Sequence, residues 1–221
     1  MVLRFQEESL DKIFRDRVEA GQLLAKQLEQ QFLDKANTIV LALPRGGVPV
    51  GYQIAHDLNL PLDVFLVRKL GVPGQEELAL GAIALGGIKV FNEEVLGLMS
   101  LDQASIDKVI AEQQTILDDR NNRYRGQKPL PDFKNKTVIL VDDGIATGAT
   151  MRAAVLAIQT LGCGRIILAV PVAPPEIFQQ FKPLVDQIIC LETPAPFYAI
   201  GGWYQDFSQT TDAEVISLLK K

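Results

Sequence analysis

Apolar and polar positions alternate along this chain in two different rhythms. Between residues 10 and 28, Ile13, Val18, Ala20, Leu24 and Leu28 share one face at helical spacing, with Asp11, Arg15, Glu19 and Lys26 opposite. That pattern predicts an amphipathic helix packed on a sheet. Five short segments, 38–43, 62–67, 137–141, 165–170 and 185–191, are rich in β-branched and aliphatic residues without strict alternation, which predicts strands buried on both faces. Segments of helical length lie between and after them, at 48–58, 103–124, 150–161 and 175–181. In 103–124, Ile106, Val109, Ile110, Gln113, Leu117 and Arg120 form a single stripe, and Arg120, Arg123 and Arg125 make the helix end basic, a stabilising feature at the negative end of the dipole.

Strand alternating with helix predicts one α/β domain over 1–221, built on a doubly wound, mainly parallel five-stranded sheet with right-handed crossovers. Ligands of such sheets bind beyond the carboxyl ends of the strands. The tail, 193–221, is aromatic and Pro/Gly-rich before a closing helix at 212–219. It fits no sixth strand unit, and the expectation is a small cap folded over one edge of the sheet.

Composition narrows the function classes. With 221 residues, 48% hydrophobic and 22% charged, the chain is expected to fold as an ordinary globular domain. Its longest apolar runs, 38–43 and 166–173, fall far short of the roughly 20 residues of a membrane helix. Charged residues from Arg4 to Lys12 interrupt any apolar leader, so the expected location is cytoplasmic, with no membrane partner. A net charge of −5 without a basic patch argues against a nucleic-acid partner. Cys163, Cys190 and the single histidine, His56, have no spacing suited to a disulfide framework or a zinc site.

Three loops have unusual composition. The first follows the strand at 137–141, where Asp142 and Asp143 lead into Gly144-Ile145-Ala146-Thr147-Gly148-Ala149-Thr150 and directly into a helix. Small residues let backbone N–H groups converge on an anion, and a helix N-terminus adds free donors and positive dipole. A phosphate cradle beside two carboxylates suits a phosphorylated sugar. No GxxxxGK[ST] sequence is present, and Gly162-Cys163-Gly164 precedes a strand, as a turn would. The second loop is Pro44-Arg45-Gly46-Gly47, whose glycines allow close ligand approach and whose arginine offers a fork of donors. The third begins at Arg68-Lys69 and runs through a Gly/Pro-rich stretch lacking clear periodicity until about Ala82, a composition suited to a flexible lid over about 69–88.

The segment 138–151, with two acids, three intervening residues and Thr-Gly-x-Thr, resembles the motif by which type I phosphoribosyltransferases bind 5-phosphoribosyl-1-pyrophosphate (PRPP). Asp-Arg-Val-Glu-Ala-Gly near the N-terminus, Leu-Pro-Arg-Gly-Gly-Val, Arg-Lys-Leu-Gly and Trp203-Tyr204-Gln205-Asp206-Phe207 extend the likeness to a bacterial group of phosphoribosyltransferases. The resemblance implies the type I fold and a Mg²⁺-dependent transfer of the phosphoribosyl group from PRPP to a nucleobase or related nitrogen nucleophile. A non-catalytic PRPP-binding or nucleotide-binding regulator is the alternative.

By the same resemblance, Asp142 and Asp143 would hold the ribose hydroxyls, touching metal only through water and hydroxyls if at all. Ala146, Thr147, Gly148, Ala149 and Thr150 would wrap the 5-phosphate. Arg45, Gly46, Gly47 and Lys69 would meet the pyrophosphate, with Arg68 either beside them or in a structural ion pair. Hypoxanthine-guanine enzymes carry aspartate where this chain has Ala146, which disfavours a 6-oxopurine handled in that way. Among the cap aromatics Phe197, Tyr198, Trp203 and Tyr204, the rings of Tyr198 and Trp203 are candidate stacking faces for the acceptor base. A homodimer is expected by analogy.

Overall fold

The computed structural model describes residues 13–31, 33–98, 102–126 and 128–220, so residues 10–12 of the first expected helix and Lys221 of the cap lie outside it. The elements run α1 (Arg17–Glu29), β1 (Thr38–Ala42), α2 (Gly47–Leu58), β2 (Leu62–Val64), β3 (Val67–Val72), β4 (Gln75–Ala84) and β5 (Ile88–Phe91). They continue α3 (Glu93–Leu98), α4 (Gln103–Arg125), β6 (Thr137–Val141), α5 (Ala149–Thr160), β7 (Arg165–Val172), α6 (Glu176–Phe181), β8 (Gln187–Glu192) and α7 (Asp212–Leu219).

The main sheet has the order β2-β1-β6-β7-β8, and every pair is parallel. Residues alternate between its two faces. Val40, Ile139, Val141, Ile167 and Ala169 point to the side covered by α1 and α2, while Ile39, Leu41, Val138, Leu140, Ile166 and Leu168 point to the side covered by α5. Both faces are buried, which is why these strands read as continuous apolar runs.

Helix α1 starts later than the apolar periodicity suggests. Asp16 accepts a hydrogen bond from the Glu19 N–H at 2.8 Å, and Glu19 accepts one from the Arg15 N–H at 2.6 Å, a reciprocal cap that fixes the first turn at Arg17. Phe14, upstream of this cap, pairs as a β-bridge with Tyr204.

Residues expected to lack regular structure form a second, antiparallel sheet in the order β3-β4-β5. Its polar composition has a physical source. Leu70, Val72, Leu80 and Ile83 bury one side, while Lys69, Glu76 and Leu78 are exposed. The Pro73-Gly74 pair, read from sequence as loop, is the tight turn joining β3 to β4, with Gly74 at a φ of +79°. Lys69 is opposite Ala82 in the register, which shifts at Gly71.

Arg125 ends α4 as a buried strut. Its guanidinium donates to both oxygens of Asp63 at 2.9 to 3.2 Å and to the carbonyls of Lys128 and Pro129, tying α4 to β2. The tail does not stay at one edge. It leaves β8, passes over Gly144 through Ile200 and over Asp143 through Tyr204, and ends with α7 against α2 and α4 beside β2. Among the described residues no helix is long and apolar enough to cross a membrane.

Candidate functional site

The carboxyl end of β6 delivers its two acids into different surroundings. Asp143 is only 8% exposed, and its Oδ2 accepts a hydrogen bond from Arg17 Nε at 2.8 Å. Arg17 in turn donates to the Ser208 carbonyl at 2.7 Å and stacks its guanidinium 4.0 Å from the centre of the Phe207 ring. The Tyr204 hydroxyl donates to the Asp143 backbone carbonyl at 2.7 Å, and its ring lies 5.3 Å from Phe14 and 5.0 Å from Phe207. Burial, followed by the charge of Asp143, pushes the Tyr204 hydroxyl well above the ordinary tyrosine range. The N-terminal helix, the acidic strand end and the tail are thus locked together at one carboxylate.

Asp142 is half-buried and accepts the backbone N–H of Asp143 at 2.9 Å. Burial and then the neighbouring Asp143 charge raise its carboxyl well above the usual carboxylate range. Gly47 lies against its backbone, where a Cβ would come within 2.9 Å of the Asp142 Cα. Gly46 approaches the other acid even more closely, leaving only 1.9 Å between a Cβ and Asp143 Oδ2.

The loop after these acids leaves Ala146, Thr147, Ala149 and Thr150 exposed. Gly148 is buried at φ +78°, against Phe181 and Ile177, and no side chain caps α5. The first N–H groups of this 12-residue helix therefore face the loop as unused donors, an arrangement able to receive a phosphate.

Arg45 follows a cis Pro44–Arg45 peptide and lies 3.6 Å from Asp212 Oδ1. Asp212 also pairs with Arg123 and accepts the Tyr124 hydroxyl at 2.6 Å, which, after burial, helps push that hydroxyl up to about 12. Arg68 donates through Nε and Nη2 to the side-chain carbonyl of Gln113 at 3.0 and 2.7 Å, so its partner is a neutral amide and not the carboxylate of an ion pair. Arg68 and Lys69 line an 810 Å³ cavity together with Pro44 and Thr150, which places them on the same opening as both loops.

The two ring candidates separate. Trp203 is 7% exposed and packs with Phe14, Ala20 and Tyr204, whereas Tyr198 is 79% exposed. Arg17, Phe207 and Asp212 escape sequence reasoning because their partners are distant in the chain. The short Asp-Arg-Val-Glu-Ala-Gly run was the one signal that could have marked Arg17. Tyr204→Phe is expected to cost about 1–2 kcal/mol in denaturant unfolding, since it removes a buried donor and leaves the shape of the cap unchanged.

A divalent cation would find limited protein ligation here. Among the described residues no group of three or more His, Cys, Asp or Glu is placed to hold a metal. Asp143 is committed to Arg17, so Asp142 is the one acid at this strand end without a side-chain cation on it. That donor set fits Mg²⁺ carried by substrate oxygens and water, and does not fit a protein cage.

Residues 10–179 match the family described as the phosphoribosyl transferase domain. Relatives from two Mycobacterium tuberculosis strains, CDC 1551 / Oshkosh and H37Rv, are each 44% identical over 210 residues and are named provisionally as phosphoribosyl transferases. The match covers 95% of this chain and 47% of each relative, so the chain spans about half the length of the curated relatives it matches. A crystal structure of TT1426 from Thermus thermophilus is 42% identical with a TM-score of 0.84, covering 93% of this chain and 97% of that one. With its parallel five-stranded sheet, acid-tipped β6 and open α5 cradle, the chain belongs to the phosphoribosyl transferase domain family and has the type I fold.

Proposed function

We propose that this chain transfers the phosphoribosyl group of PRPP to a nucleobase or related nitrogen nucleophile and releases pyrophosphate. The observation that carries this reading is the convergence of the uncapped α5 loop, the acids after β6 and the Arg45-Gly46-Gly47 turn, whose glycines lie directly against both acids. In it the loop residues Ala146 to Thr150 hold the 5-phosphate, and Asp142 holds ribose hydroxyls. Asp143, already engaged by Arg17, positions the strand end and the glycine turn and does not itself grip the sugar.

The bond from the anomeric carbon to the pyrophosphate oxygen breaks, and a bond from that carbon to the acceptor nitrogen forms, with the acceptor's proton released. Rate acceleration comes from positioning and charge. Arg45, oriented by Asp212, and Lys69 balance charge on the departing pyrophosphate. Mg²⁺, if bound together with PRPP, would supply further charge neutralisation for the leaving group. The β3–β4 hairpin, which carries Lys69, closes as the lid over 69–88, and Tyr198 offers a ring to the acceptor. The proposal includes salvage of small molecules in the cytoplasm by a homodimer; the acidic net charge of −5 supports only the part of it that leaves out nucleic acid.

Pyrophosphate release from PRPP and Mg²⁺, with and without mixed purine and pyrimidine bases, tests the proposal. Base-dependent release is the expected result, and dividing the mixture then names the acceptor. Absence of release from protein that binds PRPP by calorimetry would replace the transferase with a PRPP-binding regulator.

A further inference from the structure

Helix α4 carries three arginines near its end, and two of them are committed. Arg123 pairs with Asp212 and Arg125 with Asp63. Among the described residues Arg120 enters no ion pair or hydrogen bond, yet it lines three adjoining cavities. One, of 810 Å³, also holds Arg68, Lys69, Lys108 and Thr150; a second, of 20 Å³, holds Pro44, Arg68 and Thr150; a third, of 290 Å³, holds Arg45 and Arg123. Arg120 therefore stands where the phosphate cradle, the Arg45 turn and the base of the β3–β4 hairpin converge.

Cations gather at this junction. Arg68, Lys69, Lys108 and Arg120 line the largest cavity together with Glu76 and Glu112, and Asp119 and Asp212 line the smaller one beside Arg45. Burial and the nearby Arg120 both lower the pKa of Arg68, whose bonded partner is an uncharged amide. Helix-dipole stabilisation does not explain Arg120, because that effect is confined to the last turn and α4 continues five residues further to Arg125. Arg68 spends Nε and Nη2 on Gln113, whereas the Arg120 fork, beside the phosphate cradle, matches the geometry of a charged phosphoryl group.

We infer that Arg120, with Arg68 and Lys108, forms a diphosphate-binding subsite on α4 that grips the pyrophosphate leaving group. Its role in catalysis rests on the transferase reading, but its affinity for a free diphosphate does not. Calorimetry on the full chain with Mg²⁺ and inorganic pyrophosphate, and separately with ribose 5-phosphate, tests it. Arg120→Gln is expected to weaken pyrophosphate binding by about tenfold or more while ribose 5-phosphate binding stays within about twofold. Arg120→Lys, which keeps the charge and loses the fork, is expected to recover part of the loss.

Unchanged pyrophosphate affinity in Arg120→Gln, or no pyrophosphate binding by the unmodified protein, overturns the subsite. Arg120-dependent pyrophosphate binding by a protein that neither binds ribose 5-phosphate nor cleaves PRPP would leave the subsite standing and sink the transferase reading. Arg120 is exposed, so a thermal melt of the variant is expected to match that of the unmodified protein.

Discussion

Asp143→Asn is expected to destabilise the protein by about 3 kcal/mol, while Asp142→Asn, one residue away, is expected to stabilise it by up to about 1 kcal/mol. The opposite signs follow from the surroundings. Arg17 and Asp143 side chains are each 12% exposed and bonded at 2.8 Å, so neutralising Asp143 leaves a buried guanidinium without its counter-charge. Asp142 has no cation on its carboxylate, loses hydration at the strand end and faces Asp143, so neutralisation removes a penalty. Its partial exposure screens that penalty, which keeps the expected gain small.

The pH dependence separates the two effects. Asp142 is raised in the folded chain above its unfolded value of about 3.9, so over the intervening window the native state binds more protons than the unfolded state. Stability must then fall as pH rises from about 4 through the raised value, and below about 4 the penalty vanishes because the group is neutral in both states. The unmodified protein is expected to show this decline and Asp142→Asn to lack it, as read by urea midpoints at several pH values. On the proposed transferase reading, both variants are expected to lose about 100-fold or more in PRPP turnover, one by losing the proposed sugar contact and the other by misplacing the strand end. A destabilising Asp142→Asn would mean that its carboxylate, and not only its volume, supports the fold.

The parts of this molecule that sequence made legible are those in which a local pattern dictates the structure. The five main-sheet strands overlap the predicted apolar runs, with the expected 62–67 strand ending at Val64, and the signal is cleanest in β1, β6 and β7, where nearly every position is buried. The start of α5 was equally plain, since the helix begins at Ala149, directly after the small-residue loop. The second sheet was hidden because Arg68, Lys69 and Glu76 front a cavity, giving half-exposed strands the composition of a loop. Arg17 was hidden for a different reason. Its partner is 126 residues away, and helical periodicity, unlike the Asp-Arg-Val-Glu-Ala-Gly run, gives no hint that this arginine faces a carboxylate and not solvent. The tail's path across the sheet is set by the same long-range contacts, at Asp143, Ser208 and Asp212, and so had no local signature.

Gly46→Ala provides a sharper test of how the glycine turn and the acids are coupled. Gly46 has φ −60° and ψ −33°, a conformation alanine adopts readily, and as the residue preceding α2 it would be expected to tolerate the change at a cost of a few tenths of a kcal/mol. Its surroundings forbid this. An added Cβ would lie 1.9 Å from Asp143 Oδ2 and 2.5 Å from its Cγ, and that carboxylate cannot yield without abandoning Arg17. The substitution therefore combines overpacking with disruption of a buried ion pair, and a loss of about 3 kcal/mol is expected, with turnover reduced by about 100-fold. In an Asp143→Ala background the obstructing carboxylate is gone and the pair is already broken, so Gly46→Ala is expected to cost less than about 1 kcal/mol there. Equal costs in the two backgrounds would show that the turn is constrained by something other than Asp143. A large coupling would establish that one carboxylate sets the distance between the Arg45-Gly46-Gly47 turn and the acidic end of β6.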